Sequence, residues 1–156
     1  MHTLLKKPSI LFAMLSILLA ACSKEEKHPQ PEPRIAPKEI TKANLVGSYM
    51  VSKVEGRTGS QRTDITGTWF SSYAGDCAKD DVTTFNPDNS FDVLDGTVAC
   101  DESTNDTGTW ELIGDTKLRI DKDTTTIEEF TDKTLRIVMP EYSNAQGDII
   151  FTYSRQ

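Results

Sequence analysis

Three cysteines, two histidines and a surplus of carboxylates are the reactive side chains of this 156-residue chain. Cys22 ends the run Leu19-Ala20-Ala21-Cys22. A thiol behind small side chains is an accessible nucleophile. Cys77 and Cys100 remain as an even pair, and in an exported domain such a pair reads as a disulfide. Closing that loop adds about 3 kcal/mol in the chain-entropy model. A metal pair is the alternative, but it lacks partners, because the histidines are His2 and His28. The acidic pairs Asp80-Asp81 and Glu128-Glu129 are sequence neighbours. On a strand, neighbours face opposite sides and do not converge on one substrate. No Gly-x-Ser-x-Gly elbow or phosphate loop occurs, and Gly56–Ser60 (GRTGS) reads as a flexible turn. Catalysis is therefore not expected. Asp95, Asp101, Glu102, Asn105 and Asp106 offer oxygen ligands. They lack the ordered spacing and glycine of a calcium loop, so solvated turns are expected, with no metal and no cofactor.

The elements that carry these groups differ along the chain. Lys6 and Lys7 precede an uncharged apolar run, Ile10–Leu19, and two alanines precede Cys22. A basic head, a short apolar run and small residues at the end describe a secretory signal peptide, residues 1–21. The run is shorter than the roughly 20 residues that span a bilayer. Residues 22–39 contain Pro29, Pro31, Pro33 and Pro37 with balanced charges. Such a segment is a semi-rigid extended tether of about 50 Å. Residues 40–156 suit one domain with one core. From Thr41 onward there are 11 basic and 20 acidic residues, a net charge of −9. That balance argues against nucleic acid as a partner, since phosphates demand a basic surface.

Leu19-Ala20-Ala21-Cys22 resembles the bacterial lipoprotein box. The resemblance implies that Cys22 becomes the mature N-terminus and carries acyl chains, palmitate among them. Several chains at about 0.8 kcal/mol per buried methylene make a stable membrane anchor. An ordinary signal peptide with an incidental cysteine is the alternative. Ser23-Lys24-Glu25-Glu26 is similar to the export tag of surface lipoproteins of diderm bacteria. It implies an outer-membrane protein exposed at the cell surface, with a periplasm-facing anchor as the alternative.

The remaining domain reads as hairpins. Val82–Phe85 and Phe91–Leu94 flank Asn86-Pro87-Asp88-Asn89, a turn in which Asn89 can adopt the left-handed conformation. Trp110 and Leu112 face Leu118 and Ile120 across Gly114-Asp115. Ile127 and Phe130 lead into Thr131-Asp132-Lys133 and then Leu135, Ile137 and Met139. Ile149, Phe151 and Tyr153 share a face of the last segment. With Leu45–Val54 and a short strand near Thr66–Phe70, about eight or nine consecutive strands result. A helical turn is expected at Pro37–Ala43. A long meander exposes two edges unless it closes, so the expected fold is all-β: a small up-and-down antiparallel barrel. A two-sheet sandwich is the alternative.

"LVGSYMVSKV" looks like the first strand of lipocalin-type barrels, with Gly47-Ser48-Tyr49 in place of Gly-x-Trp. The resemblance implies that Arg155 stacks on the ring of Tyr49. "DCAKDDVTTFNPDNSFDVLDGTVAC", "GTWEL" and "DTKLRI" resemble the lipocalin-like domain of lipid-anchored exported proteins of diderm bacteria, and the cysteine-bracketed hairpin is part of that pattern. The resemblance implies a small β-barrel in a lipoprotein context and no activity; a non-catalytic binding module is the expected role. A barrel of this size either fills its interior or holds one ligand. The inward candidates for a small, apolar ligand are Tyr49, Trp69, Phe85, Phe91, Trp110, Phe130 and Phe151, with Val51 and Ile137 beside them. The alternative is a filled barrel that grips an envelope or host protein through its surface, with Glu55–Asp64, Tyr73–Lys79 and Asp95–Thr107 as candidate loops.

Overall fold

The structure, a computed structural model, describes residues 36–98, 106–140 and 147–156, all within the compact unit Arg34–Gln156. The expected signal peptide, Cys22, most of the tether and Cys100 lie outside the described residues.

A short helix, α1 (Lys42–Leu45), opens the domain. Its N-cap is Thr41, whose hydroxyl accepts from the Asn44 amide at 3.2 Å. The helix thus begins later than the expected Pro37–Ala43. Residues ahead of it are drawn along the barrel instead, where the Lys38 amide donates to the Phe130 carbonyl at 2.9 Å. Nine strands follow: β1 (Gly47–Thr58), β2 (Gln61–Asp64), β3 (Val82–Phe85), β4 (Ser90–Leu94), β5 (Asp106–Ile113), β6 (Lys117–Ile120), β7 (Asp123–Phe130), β8 (Thr134–Met139) and β9 (Asp148–Arg155). Consecutive strands pair antiparallel from β3 to β9, and β1 pairs with both β3 and β9. Eight strands therefore close into a barrel, and β2 is an extra strand on the far end of β1. Closure removes the two edges that an open meander would expose.

Three local devices make the ring possible. Asn89, at φ 75°, supplies the left-handed residue of the β3–β4 turn. One bulge lies between Val51 and Lys53 and another between Ile127 and Glu129. Each inserts a residue that breaks the alternation of faces. This is why Val51 and Val54, or Ile127 and Phe130, face the core although three residues apart. The residue inserted on β7, Glu128, lies outside the ring and receives Arg57 at 2.9 Å and Arg62 of β2 at 2.8 Å.

Two expectations are corrected. The stretch Glu55–Asp64 is not a loop. β1 continues through Thr58 because Glu55, Gly56 and Arg57 pair with Ile150, Ile149 and Asp148, and the chain then turns at Gly59, φ 60°, into β2. Thr66–Phe70 is not a strand. Thr66–Trp69 forms a helix, α2, that runs into a π-helical turn, Phe70–Ala74, and a 3-10 turn, Asp76–Asp80. Here β-branched composition is overridden, because the edge of β1 that this stretch meets is engaged by other bonds described below.

The core holds Leu45, Tyr49, Val54, Phe85, Phe91, Trp110, Leu118, Ile127, Phe130, Leu135, Ile137, Ile149 and Phe151. Every one is under a tenth exposed, and they come from nearly every strand of the ring.

Candidate functional site

One end of the barrel is sealed by its own side chains. Tyr49, fully buried, donates its hydroxyl to the Leu45 carbonyl at 2.8 Å. The Arg155 guanidinium lies over the Tyr49 ring, 5.5 Å from its centroid. It also donates to the carbonyls of Asn44 (2.9 Å) and Val46 (2.6 Å), which binds the last strand to the segment that carries α1. Gly47 is required here, since a Cβ would lie 2.9 Å from the Arg155 guanidinium and φ is 147°. Burial raises the pKa of Tyr49, and the charge of Arg155 partly offsets this. The pairing of Tyr49 with Arg155 is thus the one implied by the family resemblance, with tyrosine in the place of tryptophan.

Behind this seal the aromatic candidates meet ring to ring. Phe85 lies 5.7 Å from Tyr49 and 5.2 Å from Trp110, centroid to centroid. Trp110 is 2 % exposed, and its indole N–H donates to the Asn86 carbonyl at 3.0 Å. Phe91 and Phe130 are buried in the same cluster. These rings stabilise the barrel by filling it and offer no surface to a ligand.

Trp69 and Phe151 form the other part of the set. β3 pairs with β1 only from Gly47 to Met50, and β2 takes the same edge of β1 only from Glu55. Between them the wall of the barrel has no strand. Ile65 and Thr66 satisfy that edge: the Ile65 amide donates to the Val54 carbonyl at 2.9 Å, and the Val54 amide donates to the Thr66 hydroxyl at 2.9 Å. The Asp64 carboxylate accepts from the Thr66 amide and hydroxyl, which starts α2 and holds the Asp64 pKa below its ordinary value. α2 therefore stands in the gap and turns Trp69 onto the core. Its ring meets Phe151 edge-on at 5.0 Å and 82°. On the next turn Tyr73 stacks against Trp69 at 5.4 Å and 25°, while 71 % exposed. Tyr153, partly buried and 6.3 Å from Phe151, has its pKa pushed up to about 12 by burial.

Among the described residues, two clefts of about 250 and 230 Å3 lie along β1–β2 and around Arg57, Thr126, Glu128 and Asp148. Neither is lined by any of the seven aromatic candidates. No group of three or more His, Cys, Asp or Glu side chains placed to hold a metal occurs among the described residues. Cys77, in the 3-10 turn, is engaged, not free. Near it the Asp80 carboxylate accepts from the Thr97 amide (2.7 Å) and hydroxyl (2.5 Å), tying the chain after β4 to the chain before β3.

Sequence reasoning had Trp69 on a strand and left Tyr73 in a loop. The available signal was Asp64 two residues before Thr66, an acceptor placed to start a helix.

A family model described as a lipocalin-like domain matches residues 45–137, more than half of the chain. No curated protein and no solved structure matches it.

Proposed function

We propose a non-catalytic binding role for this chain, which belongs to the lipocalin-like domain family. Recognition takes place at the gap between β1 and β3 and not in the middle of the barrel. The observation that carries this reading is the Trp69–Tyr73 ring pair, which stands outside the strands, is open to solvent through Tyr73, and reaches the core through Phe151. The deep rings already satisfy one another and would have to be torn apart to admit a ligand. Exposed aromatic surface beside a half-open wall takes a small, apolar molecule at the cost of moving one side chain.

The proposed setting follows from the N-terminal motif. Cys22 carries the acyl chains, the Pro-rich tether spaces the barrel from an outer membrane, and the domain is displayed on the cell surface. A Cys77–Cys100 bridge braces the β3–β4 hairpin and the long excursion before it. Mass spectrometry of the mature protein, with and without reduction, tests anchor and bridge together: lipid mass at residue 22 and a two-hydrogen change on reduction are expected.

Binding is tested by thermal shift and calorimetry against fatty acids, sterols and haem-like compounds. Saturable 1:1 stabilisation by one class is expected, weakened by Y73A. A second reading, a protein-interaction module with a filled barrel, is favoured by the packing of Tyr49, Phe85 and Trp110. No stabilisation by any compound, with a single envelope protein captured by cross-linking in intact cells, decides for it.

A further inference from the structure

We infer that Trp69 is a built-in occupant of the ligand site, an internal stand-in whose indole must swing out before a flat, uncharged ring compound can enter. The inference rests on the binding role proposed above and names the ligand class and the gate.

The connection from β2 to β3 is the longest between successive strands. Residues 65–81 join these strands, whereas Asn86–Asn89 join β3 to β4 and Gly114–Thr116 join β5 to β6. Long excursions in compact domains are where lids and binding loops occur. This one is built to pivot. α2 has four residues and is followed by a π-helical turn, a rare form that is frequent at functional sites. Gly75, at φ 89°, adopts backbone that a side chain would strain. A Cβ at Gly67 would meet nothing within 4 Å, so the helix stands clear on that side. Both ends are held, by Asp64 and Thr66 on β1 and by Asp80 on Thr97.

Among the partly buried side chains packed on the core, Trp69 is the aromatic one that comes from an excursion and not from a strand. Its indole lies in a slot with two aromatic walls of different orientation. Tyr73 offers a face, tilted 25°, and Phe151 offers an edge, at 82°. A planar ring system replacing the indole recovers both contacts, because stacked and edge-to-face geometries both need a flat partner. A single alkyl chain recovers neither. Phe151, the neighbour on the inner side, and Tyr153 next to it carry no charge, so an ionised headgroup gains nothing there. The gate also lowers affinity, since only the fraction of molecules with the indole out can bind.

The test uses the full chain labelled with 5-fluorotryptophan, which gives two fluorine signals, from Trp69 and Trp110, assigned with W69F. The probes are N-phenyl-1-naphthylamine, a flat neutral ring compound, and dodecanoate, an alkyl chain. The naphthylamine is expected to shift the Trp69 signal and leave that of Trp110 in place. W69A is expected to bind it at one site about tenfold tighter or more than the unaltered protein, with no such gain for dodecanoate. W69L, which keeps apolar volume without a flat ring, guards against a folding defect in W69A, and the fluorine experiment needs no substitution. Binding that leaves the Trp69 signal unmoved, or no gain in W69A and W69L, overturns the gate and leaves the binding role standing. An equal gain for dodecanoate overturns the ring preference. No binding of either probe by any of the proteins overturns gate and binding role together.

Discussion

Arg155 shows how one side chain can close a fold. It makes two hydrogen bonds to carbonyls near α1 and covers the ring of Tyr49. Hydrogen bonds to charged groups are worth about 1.5–3 kcal/mol, and removal takes this donor from two carbonyls and uncovers a ring face. R155A should therefore cost about 3 kcal/mol, read as a lower urea midpoint at unchanged slope. An unaltered midpoint would mean that the seal is ornamental. Tyr153 makes a different prediction. Its pKa is raised to about 12, so the unfolded chain loses this proton first as pH rises. Stability is complete below the ordinary value of 10 and is lost as pH climbs toward 12. Absorbance at 295 nm should show a tyrosine ionising only with global unfolding, a step missing in Y153F. Ionisation of Tyr153 near its ordinary value of 10 in the folded protein would contradict the burial. The carboxylates run the other way. Hydrogen bonds from Thr66, Thr97 and Ser90 hold Asp64, Asp80 and Asp88 below 3.8. Their folded-state pKa values lie under the unfolded ones, so their stabilisation is present above that range and fades as pH falls through it. A melting temperature that drops below about pH 4, and drops less in D80N, is expected.

At the scale of elements, the β3–β4 hairpin depends on its turn. Asn89 has φ 75°, and the Trp110 amide donates to its carbonyl at 2.7 Å, so the turn fixes where β5 begins to pack. A β-branched side chain in left-handed backbone costs about 1–3 kcal/mol. N89V should lose that much in chemical denaturation, while N89G should stay close to the unaltered protein; equal losses would mean that the left-handed backbone is not the cause. The pattern of turns and alternation was legible in advance for β3 through β9, because polar and apolar residues alternate there and turn residues stand between them. α2 was not legible. Thr66, Thr68, Trp69 and Phe70 all favour strands, yet the edge that a strand would need is satisfied by Ile65 and the Thr66 hydroxyl. Likewise Glu55–Thr58 looks like a polar loop. It is a strand because β9 and β2 pair with it on both sides.

At the scale of the molecule, closure by β1 and β9 turns local hairpins into one cooperative unit, since residues about a hundred positions apart must meet. Such non-local pairing predicts slow folding, on the scale of milliseconds to seconds. The proposed Cys77–Cys100 bridge closes a loop of roughly two dozen residues and should contribute about 3 kcal/mol. Equilibrium unfolding with and without reductant measures it; no difference would remove the bridge from the fold. The net negative charge of the domain makes adhesion to anionic lipid unfavourable, which is consistent with the proposed tether.

Composition and pattern by themselves determined the class of this protein: strands from alternation, turns from asparagine, proline and glycine, and a net negative charge summed along the chain. These are local or summed properties, and a chain carries them wherever it folds. Which aromatic rings close on one another inside the barrel and which meet the excursion before β3 was decided only in three dimensions. Tyr49, Phe85 and Trp110 are chemically as good a binding lining as Trp69 and Phe151. The difference is that ring closure brings the first three onto one another, and the parting of β1 from β3 lets Trp69 reach the buried Phe151 from outside the strands.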